Sequence, residues 1–207
     1  MPYKYDIFIS YRRHPETLAW IKDHFVPLLE LRVGLALGYD PAIYVHQVRQ
    51  QVPAGTVWPS ALGEELGLSR ILVPLWTKTF FNSKWCTKEL SYMLGRERET
   101  GAREKHNKYG LVVPAIIHDG DDFPSALNFI QCMDLKSCYN TRMRRDSAKA
   151  EELSDLIEVH AEGIAEAIRR APKWKKSWPH AAADEFFSTF YSADYPRQTR
   201  IPKFQLT

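Results

Sequence analysis

The sequence predicts an α/β protein built around a parallel sheet. Short runs of aliphatic and aromatic residues alternate along the chain with longer segments in which apolar residues recur at helical spacing. The runs are apolar at successive positions, as in residues 71–76, so both faces of each strand are expected to be buried. Strands of this kind, separated by helices, are typical of a parallel sheet with helices packed on both sides. We therefore expect five parallel strands flanked by helices.

The same pattern places the elements in chain order. Strands are predicted where the apolar runs are short and rich in β-branched residues, at residues 5–10, 42–45, 71–76, 111–117 and 129–135. Helices are predicted where apolar residues recur on one face, at residues 15–31, 58–66 and 85–98. Residues 32–40 make the link between the first helix and the second strand longer than a typical α/β connection.

The last third of the chain has a different character. Residues 152–170 are amphipathic, with Leu153 and Ile157 on one stripe, and Pro172 ends this predicted helix. A basic and aromatic stretch follows, and its rings are costly to leave in water, so we expect it to pack on the domain or on a partner. The chain divides into a core, a helix packed on that core and a tail, at residues 1–140, 141–171 and 172–207.

Composition argues against several classes of function. The 207 residues include 28 basic and 25 acidic side chains, a net charge of +3, which by itself indicates neither nucleic-acid nor membrane binding. The apolar runs are far shorter than the roughly 20 residues of a membrane helix, and no apolar leader precedes the first strand. Three cysteines without paired spacing, and scattered histidines, indicate a reducing compartment and no metal site. We expect a cytoplasmic protein without membrane contact.

Trp85 and Glu89 form the first candidate functional motif. They stand four residues apart at the start of a predicted helix, so their side chains share a face. A single glutamate on a helix is most often a solvated residue, and a tryptophan at a helix start most often packs against the core. The pair can also form a pocket in which the aromatic ring shapes the surroundings of the carboxylate.

A second motif follows the first strand. Ser10 ends the strand, and Tyr11, Arg12 and Arg13 come next, where an α/β sheet places its ligands. Arginine binds phosphate groups through paired hydrogen bonds, and tyrosine can stack on a flat ring. The alternatives are that Ser10 caps the following turn and that the arginines are solvated or pair with Glu16. Because adjacent side chains diverge, we expect only one of the two arginines to contact a ligand.

These motifs resemble the TIR (Toll/interleukin receptor) domain family. The resemblance is carried by DIFISYRR at residues 6–13 and SKWCTKEL at residues 83–90, with a strand and a loop containing Gly55 between them, and it covers residues 4–140. Its Trp-x-x-x-Glu form is similar to that of the members that cleave NAD, such as stand-alone microbial proteins. The resemblance implies a flavodoxin-like TIR fold with strand order 2-1-3-4-5 and, here, a C-terminal extension.

The resemblance also implies an activity. It indicates an NAD+ glycohydrolase that releases nicotinamide and ADP-ribose, or a cyclic ADP-ribose form, in anti-phage or innate immune signalling. NAD+ would be the substrate, with no cofactor, and self-association through TIR surfaces or a separate activating sensor would switch the enzyme on. Glu89 is the implied catalytic residue, and the implied substrate-binding residues are Ser10, Tyr11, Arg12, Arg13, His46, Trp58 and Trp85.

One position departs from the family pattern. Many members carry an acidic residue directly after the second strand, where this chain has His46. His46 begins the loop that runs to Trp58 and that in the family gates the site. A second acidic contact to the ligand is therefore not expected here.

Two other functions remain open from the sequence. A non-catalytic adaptor would use its TIR surface only to recruit other TIR domains, and it would have no chemical need for the Trp85 and Glu89 pair. A nucleic-acid sensor could use the basic and aromatic residues of the tail, such as Lys173 and Trp174. Cations at the end of a solvated helix explain those residues more simply, so nucleic acid is not an expected partner.

Overall fold

The computed structural model describes residues 3–45, 65–104 and 107–176. Two of the expected binding residues, His46 and Trp58, lie outside the described residues, as do most of the predicted helix 58–66 and the tail from residue 177 onward. Among the described residues, no helix combines the length and the apolar composition needed to cross a bilayer.

Five parallel strands form one sheet in the order β2-β1-β3-β4-β5. The expected fold class and strand order are therefore confirmed. The central strands pair over most of their length, as in Ile7 with Ile71 and Tyr11 with Leu75, while the outer strands are short. The strands are β1 (Tyr5–Tyr11), β2 (Ile43–Val45), β3 (Ser69–Trp76), β4 (Ala115–Ile116) and β5 (Met133–Asp134).

Helices cover both faces of this sheet. One apolar cluster joins β1 and β3 to the first two helices and the last one, and a second cluster joins the other face of the same strands to the helices that follow β3. In β1, Ile7 and Ile9 belong to the first cluster and Phe8 to the second, because successive side chains point to opposite faces. The helices are α1 (Pro15–Trp20), α2 (Val26–Leu37), α3 (Lys78–Phe81), α4 (Lys84–Thr100) and α5 (Ala148–Arg169).

The expected long connection at residues 32–40 is wrong, because α2 continues to Leu37. A π turn, Ile21–Phe25, joins α1 to α2, and the Val26 N–H donates to the Ile21 carbonyl five residues earlier. Pro27 in the next turn has no N–H and would crowd the carbonyl four residues before it in a regular α-helix, so the wider turn relieves that conflict. Gly38 ends α2 in a left-handed conformation with φ of 81°.

The last two strands are shorter than the apolar runs that predicted them. In the run at residues 111–117, the N–H groups of Leu111 and Val112 donate to the carboxylate of Glu97 on α4, at 2.5 and 2.8 Å, and Pro114 has no N–H to give. Only Ala115 and Ile116 continue as a strand beside β3. Glu97 also accepts a hydrogen bond from Arg103 at 2.9 Å, so the buried carboxylate joins α4, a turn and the approach to β4.

Arg96 ties the two ends of the described chain together. It is fully buried on α4, donates to the Ser69 carbonyl at 2.8 Å and also donates to the hydroxyl of Tyr3. Tyr3 in turn donates to the Pro172 carbonyl at 2.6 Å, and the Trp174 indole donates to the Gly67 carbonyl at 3.2 Å. Residues 172–174 thus pack along the amino-terminal edge of the sheet, away from the ends of the strands where ligands bind.

We expect Glu97→Ala to lower the free energy of unfolding by about 3 kcal/mol, because it leaves two backbone N–H groups and a guanidinium without their acceptor. Urea unfolding followed by tryptophan fluorescence measures the change. Glu30→Ala, at an exposed position on α2, is the control and should change stability by less than about 0.5 kcal/mol. Equal effects of the two substitutions would contradict the structural role of Glu97.

Candidate functional site

The candidate site lies at the carboxyl edge of the sheet, between the ends of β1 and β3. In the order β2-β1-β3-β4-β5, the chain crosses from one half of the sheet to the other between these two strands. Helices that follow neighbouring strands there diverge to opposite faces and leave a crevice, which is where open α/β sheets bind ligands. The residues that enter this crevice come from the end of β1, the loop after it and the start of α4.

The end of β1 presents its last two side chains to opposite faces of the sheet. Ser10 continues the face of Phe8, which packs toward α4, and it is almost fully buried. Tyr11 continues the face of Ile9 and belongs to the cluster with α1, α2 and α5, with 7% of its surface exposed. Only Ser10 therefore points toward the helix that carries Glu89.

Helix α4 begins directly after its N-cap residue, Ser83. Ser83 has an extended backbone, and its hydroxyl accepts a hydrogen bond from the Cys86 N–H at 3.4 Å, which satisfies one of the free donors of the first turn. Helical spacing then turns Cys86 and Glu89 toward the sheet. Trp85 lies one turn before Glu89 and is 45% exposed, so it is not a core residue.

A short hydrogen bond joins the two halves of the site. The Ser10 hydroxyl donates to Oε2 of Glu89 at 2.5 Å, and both residues are buried. Burial raises the pKa of Glu89 from its ordinary 4.5 to about 7, because the ionised carboxylate loses its hydration. The Ser10 hydroxyl and the charge of Arg13 act in the opposite direction and favour the anion.

The groups around this carboxylate respond to its charge. Burial, and then the charge of Glu89, raise the pKa of the Cys86 thiol to about 12, so the sulfur stays protonated at neutral pH. On β2, burial raises the pKa of the Tyr44 hydroxyl, with a smaller contribution from Glu89. The Tyr44 ring packs on Phe8, on the same face of the sheet as Ser10, with ring centroids 5.1 Å apart.

The structure brings only some of the predicted residues together. Ser10 and Glu89 meet directly, and α1 begins at Pro15, where its N-cap residue His14 makes no side-chain cap. Arg12 and Arg13 are exposed in the loop after β1. Tyr11 lies on the other face of the sheet from Glu89, and the aromatic side chains of β1 and β2 on the face toward α4 include Phe8 and Tyr44.

Sequence reasoning missed Tyr44 and Cys86, although each left a signal. Cys86 stands three residues before Glu89, so helical spacing alone puts the two on one face. Tyr44 pairs with Phe8 across β1 and β2, and the alternation of strand side chains would have placed it with Ser10 and not with Tyr11. The alternation of side chains along β1 and β2 therefore contained the information that places Tyr44 and Ser10 on one face of the sheet.

Comparison with known families decides the classification. The family model of the TIR domain matches residues 7–154, which is most of the chain. The chain belongs to the TIR domain family. The match includes the end of β1 and the start of α4, so both Ser10 and Glu89 fall within the matched residues of this TIR domain.

Other comparisons add little to the family assignment. Among solved structures, this TIR domain is similar to the TIR domains in the structure of the activated Roq1 resistosome directly recognizing the pathogen effector XopQ. The identity is 15%, the match covers 90% of this chain and 96% of that one, and the TM-score is 0.35. No curated protein matches the chain. In the part of the chain that the structure describes, no group of three or more potential metal ligands comes together.

We expect Glu89→Gln to stabilise the TIR domain at alkaline pH. The folded state binds the Glu89 proton more tightly than the unfolded state, so wild-type stability falls as the pH rises from about 4.5 through about 7. Glutamine removes the buried charge and should raise the free energy of unfolding at pH 8 by up to about 3 kcal/mol, with the gain vanishing near pH 4.5. Urea unfolding at the two pH values measures this difference.

Glu99→Gln is the control for that experiment. Glu99 lies on the same helix and pairs at the surface with Lys175, so its loss should change stability little and equally at both pH values. A stabilisation by Glu89→Gln that is the same at pH 4.5 and pH 8 would show that the carboxylate does not titrate as its burial requires.

Proposed function

We propose that this TIR domain is an NAD+ glycohydrolase that releases nicotinamide and ADP-ribose, with Glu89 as its catalytic residue. The observation that carries the proposal is the position of this carboxylate, which is buried at the carboxyl edge of the sheet and held by the Ser10 hydroxyl. The half-exposed Trp85 lies one helical turn before it. A poorly hydrated carboxylate at this edge suits a substrate that develops positive charge as it reacts.

The reaction requires few catalytic side chains besides Glu89. In NAD+ the bond between ribose C1′ and the nicotinamide nitrogen breaks with its electron pair passing to the ring, so the cationic pyridinium leaves as a neutral molecule. No general acid is needed, unlike in glycosidases that protonate a departing oxygen. Water then adds to C1′ and loses a proton, or an adenine nitrogen adds and gives a cyclic product. Glu89 would bind the ribose hydroxyls and stabilise the oxocarbenium-like transition state.

The ionisation of Glu89 favours an oxidised, cationic substrate. With a pKa of about 7, the carboxylate of the free protein is about half protonated at neutral pH. A positively charged pyridinium bound beside Glu89 lowers that pKa and favours the ionised carboxylate. The substrate therefore increases the population of the form of Glu89 that the reaction requires. The reduced, neutral nicotinamide of NADH lacks this effect and also lacks the leaving-group charge.

The rim of the crevice suits the rest of the dinucleotide. Arg12 and Arg13 are exposed in the loop after β1, and the charge of Arg13 already reaches Glu89. Their guanidinium groups can bind a pyrophosphate through paired hydrogen bonds. The exposed indole of Trp85 offers a surface on which a flat ring can stack.

Immune signalling is the proposed setting, and assembly is the proposed switch. Family membership supports a domain that associates with other TIR domains, and copies arranged head to tail would complete each other's crevice. Activity would then rise more steeply than in proportion to protein concentration, or would require a separate activating sensor. In this setting NAD+ loss or the nucleotide product would be the signal.

We expect purified wild-type protein at high concentration to release nicotinamide from NAD+, and Glu89→Gln to reduce kcat by at least about 100-fold. Glutamine keeps the size of the side chain and an acceptor for Ser10 but cannot carry the charge that stabilises the transition state. Chromatography that resolves nicotinamide, ADP-ribose and cyclic ADP-ribose measures both the rate and the co-product.

Glu99→Gln, which removes a charge from the far end of the same helix, should keep wild-type turnover. Equal loss of activity in both variants would point to a general effect of charge on α4. If no nicotinamide is released under conditions in which the protein assembles, even with NAD+ in excess, the catalytic proposal fails and the domain acts as an interaction module.

A further inference from the structure

The hydrogen bond from Ser10 to Glu89 has a consequence for the reactive state of the site. We propose that Ser10 is a positioning residue that holds one oxygen of the Glu89 carboxylate and keeps the other oxygen available to the substrate. This inference rests on the proposed NAD+ glycohydrolase activity and assigns to Ser10 a role other than substrate binding. It concerns the orientation and the ionisation of Glu89.

The geometry gives Ser10 control of the carboxylate orientation. Its hydroxyl donates to Oε2 at 2.5 Å, within the range of charge-assisted hydrogen bonds between oxygens. Within the described residues, no hydrogen bond reaches the other oxygen, Oε1. The terminal torsion of a glutamate side chain is soft, so without Ser10 the carboxylate could rotate and present either oxygen. A fixed donor on one oxygen therefore leaves one defined acceptor for a ribose hydroxyl.

The position of Ser10 makes this contact rigid. Ser10 lies in β1 opposite Pro74 of β3, and the residue before it, Ile9, pairs with Val45 of β2, so its backbone has little freedom. Glu89 sits in the second turn of α4, whose start is capped by Ser83. A serine in a strand between two others and a glutamate on a packed helix keep their separation better than two loop residues would.

Ser10 is the hydrogen-bond donor among the groups that surround the carboxylate. The charge of Arg13 acts on Glu89, and the charge of Glu89 in turn contributes to the raised pKa of Tyr11 on β1, Tyr44 on β2 and Cys86 on α4. The neighbouring cations along the chain are Arg12 in the loop after β1 and Lys88 on α4. A donor to the ionised form favours that form, so loss of the hydroxyl must raise the pKa of Glu89. The arginines are exposed and screened by salt, whereas the hydroxyl is buried and is not.

The test compares two variants of nearly identical shape, Ser10→Thr and Ser10→Val. Threonine adds a methyl group beside the hydroxyl, and valine adds the same methyl group and replaces the hydroxyl with a second one, so both carry a similar cost of extra volume at this buried position. Only threonine keeps the hydroxyl. Thermal unfolding identifies any loss of folding, and Ser10→Ala, which adds no volume, replaces the pair if neither variant folds.

The first readout is independent of activity. Carbon NMR of protein with labelled glutamate side chains follows the Glu89 carboxyl through a pH titration, with Glu89→Gln to assign its signal. We expect Ser10→Val to raise the pKa of Glu89 above that of Ser10→Thr by about one unit or more. An equal pKa in the two variants would overturn the positioning role, whatever the activity of the protein.

The second readout is the pH dependence of kcat with NAD+. We expect the acidic limb of Ser10→Val to move to higher pH, and kcat at pH 8 to fall by about 10-fold or more relative to Ser10→Thr, with KM changed less. A loss of the same size in both variants with an unshifted limb would mean that Ser10 fills space only. If the NMR shift is present but no form of the protein releases nicotinamide, the role of Ser10 stands and the glycohydrolase proposal fails.

Discussion

Helix α4 buries three charged side chains against the sheet, and much of the described structure depends on how each is satisfied. Glu89, near the start of the helix, accepts the Ser10 hydroxyl of β1. Arg96 and Glu97, two turns later, hold the beginning of β3 and the approach to β4 through backbone groups. A buried charge is costly unless it is paired, so these contacts determine the position of α4 along the sheet. The helix places the candidate site at one end, and at the other it joins Tyr3 and residues 172–174, near the two ends of the described chain.

The buried carboxylates near the two ends of α4, Glu89 and Glu97, are stabilised in different ways. Glu97 has two backbone donors and a guanidinium, which together replace the water that the carboxylate has lost. Among the described residues, Glu89 accepts from one neutral hydroxyl, and burial raises its pKa to about 7. The carboxylate of Glu97 supports the fold, whereas Glu89 is the carboxylate that the proposed function uses to bind the substrate. Active sites commonly keep such groups at a cost in stability.

The sequence was most informative where one local pattern decided the outcome. Apolar runs separated by helical segments predicted the parallel sheet, and the Trp85 and Glu89 spacing placed the carboxylate on α4 at the correct end. The boundaries were less predictable. Residues 32–37 were predicted to belong to a long connection, yet packing against α5 keeps them helical to the αL cap at Gly38. The length of β4 was overestimated because the Glu97 side chain from α4 takes up backbone donors before it, and that of β5 because the residues before it form a turn, in which the Ile130 N–H donates to the Leu127 carbonyl.

By itself, the sequence determined the fold class, the family motifs and the place of the candidate carboxylate at the start of a helix, because periodicity and capping are properties of neighbouring residues. Only the tertiary structure decided which groups surround that carboxylate. Ser10 and Glu89 are separated by 79 positions and meet because β1 and α4 pack together, while Tyr11, next to Ser10 in the chain, faces the opposite cluster. The pKa of Glu89 follows from this burial, since it depends on the water excluded by both elements and not on either segment alone.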